Sequence, residues 1–211
     1  MKAKILQVAW QQKERLLVQG GLIARDLLPE AKAALTNDNR VLALSGMRRT
    51  GKSTLLLQLM SEVANVAYFN FEDEKLLGFS VEHFGELEEA LIEVYGPARY
   101  WFFDEIQNVG NFEVAVRRMQ DSGKKMVITG SNSSLLSMEF GSKLTGRYKQ
   151  LELFPFSFSE YLRFQNVSFE EKDFYLPEAK VMLKTLFTRW LEQGGLPEYL
   201  KYNDEQYVKT L

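Results

Sequence analysis

The sequence has no cysteine and only one histidine, His83, in 211 residues. Disulfides, thiolate zinc sites, iron–sulfur clusters and a cysteine nucleophile are therefore excluded, as is any metal site built on several imidazoles. Long apolar runs are also missing. The densest, Leu55 to Met60, already contains Gln58 and falls far below the roughly 18 residues that a membrane-spanning helix requires. Met1 to Trp10 opens with two lysines, but Gln7 and then Gln11, Gln12 and Lys13 interrupt it before a signal-peptide core can form. The expectation is a cytoplasmic chain without a membrane. Five prolines and fourteen glycines are too few for a collagen-like, linker-like or proline-rich chain. Excess charge of one sign is absent as well: 26 Lys+Arg face 28 Asp+Glu for a net −2, and neither end is a basic arm. A broad phosphate footprint on nucleic acid would have to be gathered from scattered residues by folding.

What is present is an ordinary globular composition, 45% apolar and 26% charged, with length for one large domain and a core burying roughly 70% of the unfolded surface. Lys2 to Gln19 and Ile23 to Leu35 read as amphipathic helices separated by Gly20-Gly21, which stand where a helix C-terminus is capped. After the polar turn Asn37-Asp38-Asn39, Val41 to Ser45 reads as a strand of the kind buried in a parallel sheet. Further strands are expected at Ala67 to Phe71, Tyr100 to Phe103, Met126 to Thr129 and Tyr148 to Leu153. Helical patterns occupy Lys52 to Val63, Val81 to Tyr95, Phe112 to Asp121 and Ser133 to Met138. This alternation predicts an α/β fold in three layers with a parallel five-stranded sheet and right-handed crossovers. Beyond Leu153 only helices are expected, at Ser157 to Phe164 and Ala179 to Gln193. The domain reading is N-terminal helices over 1–36, an α/β core over 37–153 and a helical subdomain over 154–211.

Gly46-Met47-Arg48-Arg49-Thr50-Gly51-Lys52-Ser53 has two glycines with four residues between them, followed by Lys and Ser, between a strand and a helix: the Walker A loop, or P-loop. Gly46 and Gly51 permit the backbone conformations and close approach that let successive N–H groups point at a polyphosphate. The following helix, through Thr54, adds the positive end of its dipole. Lys52 supplies a point charge to the β and γ phosphates, and the Ser53 hydroxyl suits Mg²⁺. Tyr100 to Phe103 then runs into Asp104-Glu105, an apolar strand ending in two carboxylates, the Walker B pattern. Asp104 would hold the Mg²⁺ shell, and Glu105 would polarise a water for in-line attack on the γ phosphate.

With these motifs in place the chain resembles the additional-strand ATPases, and among them the AAA-type prokaryotic family that joins a P-loop core to a C-terminal domain of unknown function. The likeness runs from about Val41 to Glu198 and is carried, beyond the two motifs, by Tyr68 to Asp73, Phe103 to Gln107, Ile128 to Ser133, Leu144 to Arg147, Leu153 to Ser157 and Gly194 to Glu198. The resemblance implies strand order 5-1-4-3-2, ATP and Mg²⁺ as cofactors, and ATP hydrolysis used as a conformational switch. It places a polar sensor residue at the end of the fourth strand, Asn132 first and Ser131 second, where either could equally cap the helix that follows. It makes Arg147 a candidate arginine finger acting on a neighbouring subunit's nucleotide; the plainer reading is a surface ion pair in a basic stretch with Lys143 and Lys149. Arg48 and Arg49 have nucleotide, Glu72 or Asp73 as alternative partners. Homo-oligomers and a protein or DNA partner held through a further C-terminal domain are implied partners, and the chain is expected to be a truncated piece ending at Leu211. Against ATP hydrolysis stand a nucleotide-dependent scaffold without turnover and a small-molecule kinase. The kinase should carry an arginine-rich lid, whereas the helical tail has only Arg163 and Arg189. No guanine-reading Asn-Lys-x-Asp occurs. His83 on its amphipathic helix and the aromatic residues Phe154, Phe156, Phe158 and Tyr161 read as surface and core positions respectively.

Overall fold

A computed structural model describes residues 1–16, 21–130 and 146–202. The expected helix at Ser133 to Met138, the candidates Ser131 and Asn132, and the end of the tail lie outside the described residues. Helix α1 spans Lys2–Leu16 and α2 spans Leu28–Asn37. Next come β1 (Val41–Ser45), α3 (Lys52–Ser61), β2 (Val66–Asn70), α4 (Phe84–Tyr95), β3 (Tyr100–Asp104), α5 (Phe112–Asp121), β4 (Lys125–Thr129) and β5 (Tyr148–Glu152). Three further helices close the described chain: α6 (Phe158–Phe164), α7 (Pro177–Gln193) and α8 (Pro197–Tyr202).

The five strands form one sheet in the order β2-β3-β4-β1-β5, all neighbours parallel. This is the expected order read from the other edge. Strand residues alternate between two apolar layers, as a pleat with side chains on both faces requires. Val41, Ala43, Phe69, Trp101, Phe103, Met126 and Ile128 pack with Ile5, Val8 and Ala9 of α1, with α4 and with α5. Leu42, Leu44, Tyr68, Phe102 and Val127 pack on the other side with Ala31, Ala34 and Leu35 of α2 and with Leu55, Leu56 and Leu59 of α3. Among the described residues no helix is long and apolar enough to cross a membrane.

At the sheet's β2 edge, Gln12 of α1 uses both ends of its amide on one residue. Its Nε2 donates to the Asn70 carbonyl at 2.9 Å, and its Oε1 accepts from the Asn70 N–H at 2.9 Å.

The sequence reading needs one correction in this region. A helix was expected from Ile23, but α2 begins at Leu28 with Pro29 in its first turn. Proline lacks an N–H and its ring obstructs the carbonyl one turn earlier, so it belongs at a helix start rather than in the interior. Residues 21–27 are therefore irregular, and this frees Arg25 to turn inward. Pro197 likewise opens α8, which the sequence reading left without a helix.

Candidate functional site

The carboxyl ends of the strands carry the site. Strand β1 is buried throughout and ends at Ser45. The chain then turns at Gly46, where a β-carbon would stand 2.4 Å from the Leu153 carbonyl oxygen, so only glycine fits beneath the chain leaving β5. Gly51, at φ 91°, adopts the left-handed conformation that side chains disfavour and leads into α3. Inside the loop the Thr50 hydroxyl donates to the Met47 carbonyl at 2.9 Å. The Lys52 ammonium donates to the carbonyls of Gly46 at 3.0 Å and Met47 at 2.9 Å, with a third donor remaining on the nitrogen. Burial pushes the Lys52 pKa below its ordinary value, while the carboxylates of Glu105 and Asp104 pull it back up.

Arg48, Arg49, Gly51, Lys52, Ser53, Thr54 and Glu105 line one cavity of about 420 Å³, together with Glu72, Pro197 and Glu198. Of the loop residues named from sequence, Gly46 and Thr50 shape the turn from within, and Met47 is exposed outside it. Arg49 forms an ion pair with Glu198 of α8 at 3.2 Å, a partner outside the Glu72 and Asp73 alternatives.

Asp104 ends β3 fully buried, directly opposite Asn70 in the sheet register. Its Oδ1 accepts from the Thr129 hydroxyl, and its Oδ2 accepts from the Tyr68 hydroxyl at 3.2 Å and from Asn70 Nδ2 at 3.3 Å. Burial, reinforced by the neighbouring Asp104 charge, holds the Tyr68 hydroxyl protonated far above the ordinary phenol range, so it serves Asp104 as a donor. The chain then turns left-handed at Glu105, φ 53°, an unfavourable conformation for a residue with a side chain. The Glu105 N–H donates to Thr129 Oγ1 at 3.0 Å. One threonine hydroxyl thus fixes both acids, donating to the first and accepting from the backbone of the second. Gln107 donates its amide to the Glu105 carboxylate, and its buried Oε1 has no partner among the described residues. Sequence reasoning missed Thr129. The available signal was a hydroxyl residue closing the strand next to the acidic one.

Ser53 and Glu105 line the cavity with oxygen donors of the kind that suit Mg²⁺, whereas Asp104 is fully buried behind it with both carboxylate oxygens engaged by Thr129, Tyr68 and Asn70. Among the described residues no group of three or more His, Cys, Asp or Glu could hold a metal by itself. A Mg²⁺ ion held by these oxygens would complete its shell with phosphate oxygens and water.

Arg147 is not brought to this cavity. It precedes β5 at the opposite edge of the sheet, where its carbonyl accepts from the Val41 N–H at 2.9 Å and its guanidinium pairs with Asp121. Five residues of strand, about 16 Å, separate the two edges. Within its own chain Arg147 forms a surface ion pair with Asp121; a finger reaching a neighbouring subunit's nucleotide would not lie in its own chain's cavity.

A second cavity of about 450 Å³ adjoins the first, sharing Gly51, Thr54 and Pro197 and adding apolar walls from Leu22, Ile23, Phe156 and Phe164. Helix α8 reaches both cavities because Gly195 seats it. The Phe156 N–H donates to the Gly195 carbonyl at 2.7 Å, and a β-carbon on Gly195 would meet the Phe156 carbonyl oxygen at 2.3 Å. A Gly195→Ala variant is expected to lose about 1–3 kcal/mol of stability through this backbone collision. Urea unfolding measures the loss, and a midpoint equal to wild type would refute the seating.

A family model described as an AAA domain matches residues 38–162. An uncharacterised protein of Methanocaldococcus jannaschii is 31% identical over 99% of this chain and 48% of its own length. One from Haemophilus influenzae is 29% identical over 90% and 47% respectively. The chain thus spans about half the length of the curated relatives it matches. Among solved structures, the S. cerevisiae Hsp104–ADP complex aligns with a TM-score of 0.57 at 15% identity, covering 75% of this chain and 26% of that one, a likeness of fold.

Proposed function

The chain belongs to the AAA-domain family, and from that membership we propose that it binds ATP with Mg²⁺ across the two adjoining cavities and hydrolyses it as a conformational switch. The observation that carries this reading is the meeting of Lys52, Ser53 and Glu105 on one cavity wall although 52 positions separate the first from the last. The apolar second cavity fits a nucleobase, and the first, lined by Arg48, Arg49 and Lys52, fits the phosphates.

In this reading Lys52 neutralises the β and γ phosphates, and the loop amides with the start of α3 hold their oxygens. Ser53 and Asp104 would hold Mg²⁺, which when bound offsets the charge developing on the phosphate oxygens. Glu105 orients the attacking water and takes its proton, with Gln107 holding the carboxylate in place. Thr129 keeps Asp104 and the Glu105 backbone in register. Ser131 or Asn132, which follow β4 in sequence, would serve as the polar sensor. The helices beyond Leu153 transmit the change through the Arg49–Glu198 pair, and a protein or DNA partner would engage the part of the longer relatives that this chain does not span. The cytoplasmic location expected from sequence belongs to the same proposal.

Phosphate release from ATP, with and without Mg²⁺, tests the reading. Mg²⁺-dependent release is expected. ATP bound without release would favour a nucleotide-held scaffold, and absence of binding would end the reading. An arginine finger at Arg147 acting between subunits would have to leave Asp121, and the local ion pair favours the plainer role. Arg147→Ala is therefore expected to keep wild-type turnover and wild-type sizing in ATP. Assembly and activity lost together would restore the finger.

A further inference from the structure

Arg25 lies in the irregular stretch before α2, yet it is only 3% exposed. Its three kinds of nitrogen reach three segments of chain. Nε pairs with Glu160 at 2.8 Å, Nη2 donates to the Phe154 carbonyl at 2.7 Å, and Nη1 donates to the Thr50 carbonyl inside the phosphate loop at 2.5 Å. The guanidinium also lies over the Phe156 ring at 5.0 Å. A planar fork with donors in fixed directions can hold three acceptors in this way, whereas a lysine ammonium on a flexible stem cannot.

The contact with Thr50 has a consequence for the loop. The Thr50 carbonyl and the Gly51 N–H belong to one planar peptide unit and point in opposite directions. Gly51 tolerates conformations that leave this peptide free to flip. Gly51 borders both adjoining cavities and Arg25 borders the apolar one, so with the carbonyl held on the Arg25 side the Gly51 N–H is turned the other way, toward the first cavity. We infer that Arg25 is a positioning residue that sets the phosphate loop for a β phosphate by fixing the Thr50–Gly51 peptide, an inference that rests on the nucleotide-binding reading. A donor already aimed before the ligand arrives costs no reorganisation on binding.

The carboxylate of Glu160 balances the Arg25 charge and also accepts from the backbone N–H groups of Asp26 at 2.7 Å and Ser157 at 2.9 Å. The start of α6 and the phosphate loop are thus joined through one buried guanidinium.

The test is competition of ATP, ADP and AMP against a fluorescent ATP analogue on the full chain, as wild type, Arg25→Lys, Arg25→Gln and Glu160→Gln, each checked for folding by circular dichroism. Either folded Arg25 variant is expected to lose roughly tenfold in affinity for ATP and ADP, the scale of one amide contact to a charged group. Its affinity for AMP, which has no β phosphate, is expected to fall several-fold less than that for ATP and ADP, since any change in the second cavity that Arg25 also lines weakens all three nucleotides alike. Glu160→Gln leaves Arg25 on Thr50 and is expected to melt earlier while keeping the wild-type ratio of ATP to AMP affinity. Equal losses for all three nucleotides in the Arg25 variants, or no loss, overturn the inference, as does a ratio that falls equally in Glu160→Gln. If both Arg25 variants fail to fold, Glu160→Gln alone decides by that ratio. Wild-type protein that binds no nucleotide overturns the functional reading itself, and this inference with it.

Discussion

Glutamine in place of Glu105 is expected to bind ATP as tightly as wild type and to release phosphate about 10²- to 10⁴-fold more slowly, the range that a positioned general base contributes. The substitution keeps the size of the side chain and the left-handed turn while removing the group proposed to take a proton from water. Gln107 stands beside the site and already donates to the Glu105 carboxylate. A glutamine at 105 can turn its carbonyl toward that donor, so the local contacts persist and the loss falls on chemistry. Single-turnover phosphate release together with equilibrium nucleotide binding separates the two quantities. Turnover equal to wild type would remove Glu105 from the mechanism, and a parallel loss of binding would show that the residue shapes the cavity instead.

Lys52→Ala is expected to act on binding. Losing charge-assisted contacts to phosphate costs about 1.5–3 kcal/mol, or roughly 10- to 150-fold in affinity. It also leaves the Gly46 and Met47 carbonyls without the ammonium that spans them. Titration calorimetry with ATP measures the loss; affinity within twofold of wild type would place the phosphates elsewhere. The same residue sets a dependence on pH. Burial holds the Lys52 pKa below the ordinary 10.5, so the charge that attracts phosphate is lost before pH 10.5 and affinity declines over that window. Stability runs the opposite way. Between the depressed folded pKa and 10.5 the unfolded chain binds more protons than the folded one, so the free energy of unfolding rises with pH there.

Short-range spacing made the phosphate loop legible, because one strand, one turn and one helix between Val41 and Ser61 contain the whole device. The unbroken apolar run Val41 to Leu44 similarly foretold a strand buried on both faces, and the structure divides its residues between two layers. Thr129 is different in kind, since its role follows only once β4 is known to lie beside β3, and the resemblance rather than periodicity supplied that order. Glu198 meets Arg49 across most of the chain, a pairing of two ordinary surface-type residues that no local pattern marks. Arg25 was hidden by an expected helix from Ile23, in which an arginine reads as solvated. Pro29 was the signal that the helix starts later and that the residues before it are free to turn inward.

Strand β2 sits at the margin of the sheet, where backbone groups would ordinarily stand open as a template for another chain. The Gln12 amide imitates a neighbouring strand at Asn70, and the rest of α1 shields the apolar face beside it. The first helix therefore guards against intermolecular β pairing. Versions of the protein trimmed to begin at the phosphate-loop core would uncover this margin and tend toward aggregation, a hazard separate from any effect on nucleotide chemistry.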